Sequence, residues 1–205
     1  MRSLSLVLVA SLAGCLGHES APARFYVLSA TVRAEPAPAG VAGREGALAV
    51  APAQVPDYLD RPQVVTFGSA NEINVDEYHR WGEPTSSAVA RVVAADLGAL
   101  LPGWLVLVRP WDPSVPLRAR LFLSVDELGW DRSGEARLKA SWTLLAGPTA
   151  TSAVRGQVDL RRKASGADTD AGAAAASELI GELSRSVAGA VRALPPAGAK
   201  QAGCP

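Results

Sequence analysis

The chain has 205 residues, and its 20 basic and 20 acidic side chains cancel to a formal net charge of zero. This balance gives no reason to expect nucleic acid as a partner, and the two histidines and two cysteines offer no Cys/His cluster for a metal. The length fits one folded domain with terminal extensions, for which we expect neither a metal nor a cofactor.

The N-terminus is typical of a secretory signal peptide. Arg2 precedes an apolar run over residues 4–12 that is too short to cross a bilayer as a mature helix. The run ends in Leu-Ala-Gly-Cys at residues 12–15, which resembles the lipobox of bacterial lipoproteins. That resemblance implies cleavage before Cys15 and a lipid on its sulfur; the alternative is an ordinary secretory signal with a chance cysteine. Leu16 follows the cysteine, which by resemblance to enterobacterial sorting favours the outer membrane.

These features divide the chain into four predicted segments. We expect a signal peptide over residues 1–14, a lipidated cysteine with a spacer over 15–24, a folded domain over 25–194 and a disordered tail over 195–205. A lipidated Cys15 cannot pair with Cys204, so no internal disulfide is expected.

Strands and one helix are predicted in the first half of the domain. Short β-rich runs predict strands over residues 25–28, 48–51 and 63–67, and the segments 73–75 and 78–81 follow before the helix. Apolar residues recur every three to four positions over 86–101, which predicts an amphipathic helix with Pro84 in its first turn. Asp96 lies at the edge of the apolar stripe, where we expect an arginine or a backbone N–H as its partner and no catalytic role.

The second half predicts a strand, a meander and a second helix. Residues 104–108 are apolar throughout, which is typical of a strand covered on both faces, and the order strand, helix, strand indicates a βαβ unit. Alternating polarity over 117–125, 136–144 and 153–161 predicts three half-buried antiparallel strands. Apolar residues from 179 to 194 follow a helical face after an Ala-rich loop over 164–176. The expected fold is a two-layer α/β (α+β) sandwich, a mostly antiparallel sheet with two main helices on one face.

The alternation places six cations on the solvent face of the predicted meander: Arg118, Arg120, Arg137, Lys139, Arg155 and Arg161. Such cations favour a solvated face that resists edge aggregation. The alternative is a contact surface for an acidic partner or for lipid headgroups. Asp126, Glu135 and Asp159 lie among them and dilute the charge.

The chain lacks the motifs of common catalytic sites. His79 is the histidine available to the folded domain, and neither a Gly-x-Ser-x-Gly elbow nor a phosphate-binding glycine loop is present. We therefore predict no catalytic residue. An envelope hydrolase that uses His79 is the enzymatic alternative.

Two motifs resemble one family. Residues 55–66, Val-Pro-Asp-Tyr-Leu-Asp-Arg-Pro-Gln-Val-Val-Thr, resemble the Leu-Pro-x-Tyr-Leu-Asp-Arg-Pro-Gln-Ile-Val signature of ABC-type transport auxiliary lipoproteins, the paraquat-inducible protein C-like family. His-Arg-Trp-Gly-Glu-Pro follows at the matching distance, over 79–84. The resemblance implies a periplasmic lipoprotein of the outer membrane that docks a mammalian cell entry (MCE) domain protein of an inner-membrane ABC transporter. A homo-oligomer is also compatible with it.

Six residues of these motifs are candidates for partner binding: Tyr58, Leu59, Asp60, Arg61, Arg80 and Trp81. Tyrosine, arginine and tryptophan are enriched at protein interfaces. The alternative is loop-to-core packing, with Trp81 beneath the helix start and Arg61 or Arg80 paired with Asp57, Asp60 or Glu83. A second functional hypothesis is a carrier that holds a lipid in its own cavity.

Overall fold

The computed structural model describes residues 21–34, 45–147 and 152–195. The predicted signal peptide and Cys15 lie outside these ranges, as do most of the predicted spacer and, except for Pro195, the predicted tail with Cys204.

The described residues form a mixed α+β fold with two helices and two sheets, which confirms the predicted fold class. The strands are β1 (Arg24–Tyr26), β2 (Gly46–Val50), β3 (Gln63–Phe67), β4 (Ile73–Trp81), β5 (Trp104–Val108), β6 (Leu117–Trp130), β7 (Glu135–Ala146) and β8 (Ser152–Lys163). The helices are α1 (Thr85–Leu100) and α2 (Thr169–Arg192). One sheet has the order β1-β4-β3 and the other β5-β2-β6-β7-β8, a division that the sequence patterns did not predict.

The five-stranded sheet contains the predicted meander, but the predicted consecutive βαβ unit was wrong, because β4, the strand directly before α1, belongs to the three-stranded sheet. Strand β2 pairs in parallel with both β5 and β6, while β6, β7 and β8 pair antiparallel. Strand β5 lies at the edge and each of its residues is only half-buried, so the prediction that both of its faces are covered was wrong. Its apolar composition reflects its place beside β2, whose central residues are buried.

A β-bulge explains why the alternation in β6 changes partway. Leu123 and Val125 are buried on odd positions, whereas Leu128 and Trp130 are buried on even ones. The register shifts between Val125 and Glu127, and one extra residue moves every later side chain to the opposite face. The strand therefore continues to Trp130, beyond the predicted end.

Helix α2 begins within the stretch that was predicted as a loop. The carboxylate of Asp168 accepts a hydrogen bond of 2.8 Å from the Ala171 backbone N–H and caps the helix. Small residues in the first turns allow close packing on the sheet. A Cβ atom on Gly172 would lie 2.2 Å from the Trp130 ring, so Gly172 leaves the space that this indole occupies.

Asp96 connects both helices to the segment that follows β1. Its side chain is fully buried, and Oδ1 accepts hydrogen bonds of 3.1 Å from the backbone N–H groups of Thr31 and Val32. The Ser184 hydroxyl on α2 donates to Oδ2 at 3.3 Å. The predicted pairing of Asp96 with backbone N–H groups is confirmed, and its part is structural.

Buried apolar residues form one cluster that runs along the chain from Tyr26 to Val191. A chain that starts at residue 16 contains all of this described core, so we expect it to fold without the N-terminal segment. Within residues 21–34, 45–147 and 152–195, neither α1 nor α2 is long and apolar enough to span a bilayer.

Candidate docking surface

The first family-like motif lies in the loop between β2 and β3, and part of it is built into the fold. The backbone N–H groups of Leu59 and Asp60 donate to the Pro56 carbonyl at 2.8 and 3.2 Å, which closes a turn. The Leu59 side chain is only 4 % exposed, and its carbonyl accepts a hydrogen bond of 2.8 Å from the Thr85 hydroxyl. Leu59 is therefore a core residue that fixes the loop against the start of α1.

Asp60 caps α1 from a distant point in the sequence. Pro84 occupies the N-cap position and not the first turn that was predicted for it, and it offers no side-chain acceptor. The carboxylate of Asp60 instead accepts hydrogen bonds from the Ser86 backbone N–H at 3.0 Å and from its hydroxyl at 3.1 Å. A carboxylate at this end of a helix satisfies an open backbone donor and opposes the positive end of the helix dipole.

Trp81 ends β4 and contacts both the loop and the core. Its backbone N–H donates to the Pro62 carbonyl at 2.7 Å, and its ring meets the Trp130 ring edge-on with 6.3 Å between centroids. Trp81 is half-buried, so part of the indole still faces solvent. The ring thus packs as expected for a structural residue and also contributes exposed aromatic surface.

The two arginines take partners other than the acids proposed from the sequence. Arg61 donates through Nε to Gln63 Oε1 at 3.3 Å, and Arg80 forms an ion pair of 3.8 Å with Glu77. Glu83 pairs with Arg91. The expected pairing with Asp57, Asp60 or Glu83 was therefore wrong in its partners, because each arginine reaches a neighbour along its own strand or loop.

A cleft of about 240 Å³ brings three of the predicted residues together. Its lining consists of Asp60, Arg61, Pro62, Trp81, Gly82, Glu83 and Pro84. One wall is held in place by Arg91, which binds Glu83 through Nε at 3.0 Å and donates to the Leu28 carbonyl at 2.8 Å. This pair fixes the cleft relative to the chain that leaves β1.

Tyr58 does not line this cleft. Its hydroxyl donates to the Asp126 carbonyl at 3.0 Å, which connects the loop to the bulge in β6. Partial burial, with the nearby carboxylates of Glu127 and Asp126, raises the pKa of Tyr58 above its ordinary value. The hydroxyl therefore stays protonated at neutral pH and keeps its hydrogen bond.

Sequence patterns missed two exposed apolar residues beside the cleft. Phe25 and Val27 are 68 % and 57 % exposed. The register pairs Phe25 with Arg80, so these two side chains share one face of the three-stranded sheet. A Cβ atom on Gly82 would lie 3.3 Å from Val27, which places Val27 next to the cleft. We call Phe25, Val27, Arg61, Arg80 and Trp81 the docking surface.

The surroundings of His79 lack the other parts of a hydrolase site. Its Nδ1 lies 2.7 Å from Asp76 Oδ2, and its ring lies against Tyr26 with 5.6 Å between centroids. Partial burial opposes ionisation of Asp76, but hydrogen bonds from the Tyr78 and His79 N–H groups and the imidazole outweigh it and lower the pKa of Asp76. In the part of the chain that the structure describes, no serine, threonine or cysteine hydrogen-bonds to His79. Nor do the described residues contain a group of three side chains able to hold a metal ion.

Comparison with known proteins places the chain in a family. The model of the ABC-type transport auxiliary lipoprotein component family matches residues 26–188. No curated protein sequence matches the chain.

Two solved structures share the fold at low sequence identity. A crystal structure of an uncharacterized protein is 19% identical with a TM-score of 0.69, covering 83% of this chain and 99% of its own. A Xanthomonas campestris protein is 18% identical with a TM-score of 0.63, covering 81% of this chain and 93% of its own. Since the family model spans most of the chain and both of its motif regions, the chain belongs to the ABC-type transport auxiliary lipoprotein component family.

Proposed function

We propose that this protein is a non-enzymatic docking lipoprotein, anchored through Cys15 in the outer membrane, that binds the periplasmic MCE-domain protein of an ABC transporter. The observation that carries the proposal is the docking surface, where exposed Phe25 and Val27 lie beside Arg80 and the Trp81 cleft. Family membership supports a transport partner, and the Leu-Ala-Gly-Cys run at 12–15 supports the anchor.

The composition of the docking surface suits a protein partner. Aromatic residues and arginine are enriched at interfaces and dominate their binding energy. Its supporting residues are already fixed: Asp60 caps α1, and Arg91 holds Glu83. A surface organised before binding loses less conformational entropy when the partner arrives.

The cavities favour docking over the carrier hypothesis. A cleft of about 440 Å³ between β1 and α2 is shared by apolar side chains, including Phe25 and Val27 of the docking surface, and by the charged side chains of Arg24, Asp170 and Glu178. Sites for apolar ligands are lined mainly by hydrophobic side chains, and charged groups beside a lipid tail would lose hydration without compensation. A cleft of this composition suits a solvated groove better than a lipid cavity.

Co-elution of the lipidated protein with the MCE-domain protein of the same organism tests the proposal. We expect a complex in detergent for the natural chain, and a loss of complex when Phe25→Ser and Val27→Ser are combined. The matched control is Phe122→Ser, which removes an exposed aromatic side chain from the other sheet and should leave the complex intact.

Two results would contradict the proposal: no complex with the natural chain, or an undiminished complex with the Phe25/Val27 variant. Mass spectrometry of the purified protein separates the alternative, because a carrier would retain a stoichiometric lipid besides the one on Cys15. The mass of the natural particle in the same experiment also tests for the homo-oligomer with which the family resemblance is compatible.

A further inference from the structure

The outward face of the five-stranded sheet carries cations at both ends, and one end is electrically compensated. Near the β6–β7 turn, Arg137 pairs with Asp131 and with Glu135, each at 3.1 Å, and Arg161 pairs with Glu135 at 3.2 Å. Lys139 stands in register between Glu127 and Asp159. These cations fit the solvated face that the sequence predicted.

The opposite end of the same face is different. Arg120 and Arg155 form no ion pair or hydrogen bond with any residue that the structure describes. Arg118 binds two neutral acceptors, the carbonyls of Glu45 and Pro195, and lies over the Trp104 ring with 4.7 Å to its centroid. The carboxylate of Glu45 accepts from Trp104 Nε1 at 2.8 Å and forms no ion pair with Arg118. Positive charge therefore dominates this end.

Apolar side chains lie among these arginines. The register aligns Phe122 with Thr143 and Arg155, and Arg120 with Leu145. Since neighbouring strands are about 4.8 Å apart, Arg155 lies about two strand spacings from the 45 % exposed Phe122, and Arg120 lies two residues before Phe122 on the same face of β6. We call Arg118, Arg120, Phe122, Leu145 and Arg155 the basic patch.

We propose that the basic patch binds the anionic headgroups of a phospholipid leaflet. Guanidinium groups bind phosphate oxygens in a bidentate geometry, and clustered cations are attracted to anionic lipid surfaces. An exposed phenylalanine between them matches the aromatic side chains that lie at the headgroup level of membranes. A sheet face is broad and shallow, which suits a leaflet better than an acidic peptide that would need a groove.

This inference rests on the proposed function in one respect: the proposed lipid on Cys15 would keep the basic patch close to a leaflet. The basic patch and the docking surface lie on different sheets, so both can be occupied together. One surface would then orient the domain on the membrane while the other remains open to the transporter.

The test uses the chain from residue 16 to 205, which carries no lipid anchor but contains the whole described core. We expect it to sediment with vesicles of phosphatidylcholine and phosphatidylglycerol in equal parts more than with phosphatidylcholine alone, and less so as salt is raised. Arg120→Gln combined with Arg155→Gln, which keeps both side-chain stems, should weaken binding about 30-fold at about 1 kcal/mol for each cation. Phe122→Ser should also weaken binding.

The matched control is Lys139→Gln combined with Arg161→Gln, which removes two cations from the compensated part of the same face. We expect it to stay within about 3-fold of the natural chain, because carboxylates already offset these charges. Equal sedimentation with both vesicle types, or an equal loss in the control, would overturn the proposal. So would an Arg120/Arg155 variant that keeps vesicle binding and loses the MCE-domain protein, since the patch would then bind an acidic protein. The variant that combines Phe25→Ser with Val27→Ser should retain vesicle binding. If the docking proposal fails, the failure appears in the co-elution with the MCE-domain protein and leaves this vesicle result unchanged.

Discussion

The motif loop after β2 and the basic patch use polar side chains in opposite ways. In the loop, Asp60 caps a helix and Tyr58 holds a bulge, while Leu59 fills the core. In the basic patch, Arg120 and Arg155 form no hydrogen bond or ion pair with a described residue. A recognisable family motif can therefore serve mainly to build the fold. Candidates for contact are then the exposed residues at the edge of the motif and those on surfaces that no motif marks.

The largest expected effect comes from removing the core residue of the loop. Leu59→Ala should lower the free energy of unfolding by about 3 kcal/mol, because it removes buried methyl groups and leaves a cavity beneath α1. Urea denaturation measures this change. Val27→Ala is the matched control, since Val27 is exposed and its truncation should change stability by less than about 0.5 kcal/mol. Equal effects of the two substitutions would show that the loop is not anchored through Leu59.

A smaller effect is expected at the long-range helix cap. Asp60→Ala should cost about 1 kcal/mol of unfolding free energy, because the Ser86 N–H loses its acceptor at the start of α1. The control is Asp57→Ala, whose carboxylate forms no hydrogen bond or ion pair within the described residues. If Asp57→Ala destabilised the protein as much as Asp60→Ala, general charge and not capping would explain the result.

The smallest effect concerns the pH dependence contributed by Tyr58. Its pKa in the folded state is raised above the ordinary value of 10.0, so the folded protein holds this proton more tightly than the unfolded chain. The stability that it contributes is present below pH 10 and decreases as pH rises through the folded-state pKa. As pH rises from 10 towards the folded-state pKa, the melting temperature of Tyr58→Phe should therefore fall less steeply than that of the natural chain, and parallel curves over this range would contradict the assignment.

Local patterns predicted the parts of the fold that depend on local physics. Alternation identified β6, β7 and β8, and helical periodicity placed α1 within one residue at each end. The polar position Asp96 in an apolar stripe correctly indicated backbone partners. Each of these follows from the pleat of a strand, the turn of a helix or the cost of burying an unpaired carboxylate.

Long-range pairing explains what sequence patterns missed. The division into two sheets depends on the pairing of β1 with β4, whose partner residues are more than fifty positions apart in the sequence. No short-range signal encodes that choice. The bulge in β6 hides the phase change between Val125 and Leu128. Exposure of Phe25 was not predicted because a strand of three residues is too short to show which face is buried.

Affinity for the MCE-domain protein tests the central claim most directly. Arg61 lines the cleft, and among the described residues its side chain hydrogen-bonds to Gln63 alone, so Arg61→Glu should preserve the unfolding free energy and weaken binding at least about 10-fold. Arg185→Glu, the same charge reversal at an exposed position on α2, should stay within about 2-fold of the natural chain. Equal affinities for the natural chain and Arg61→Glu, measured by titration with both variants folded, would contradict a docking function for this surface.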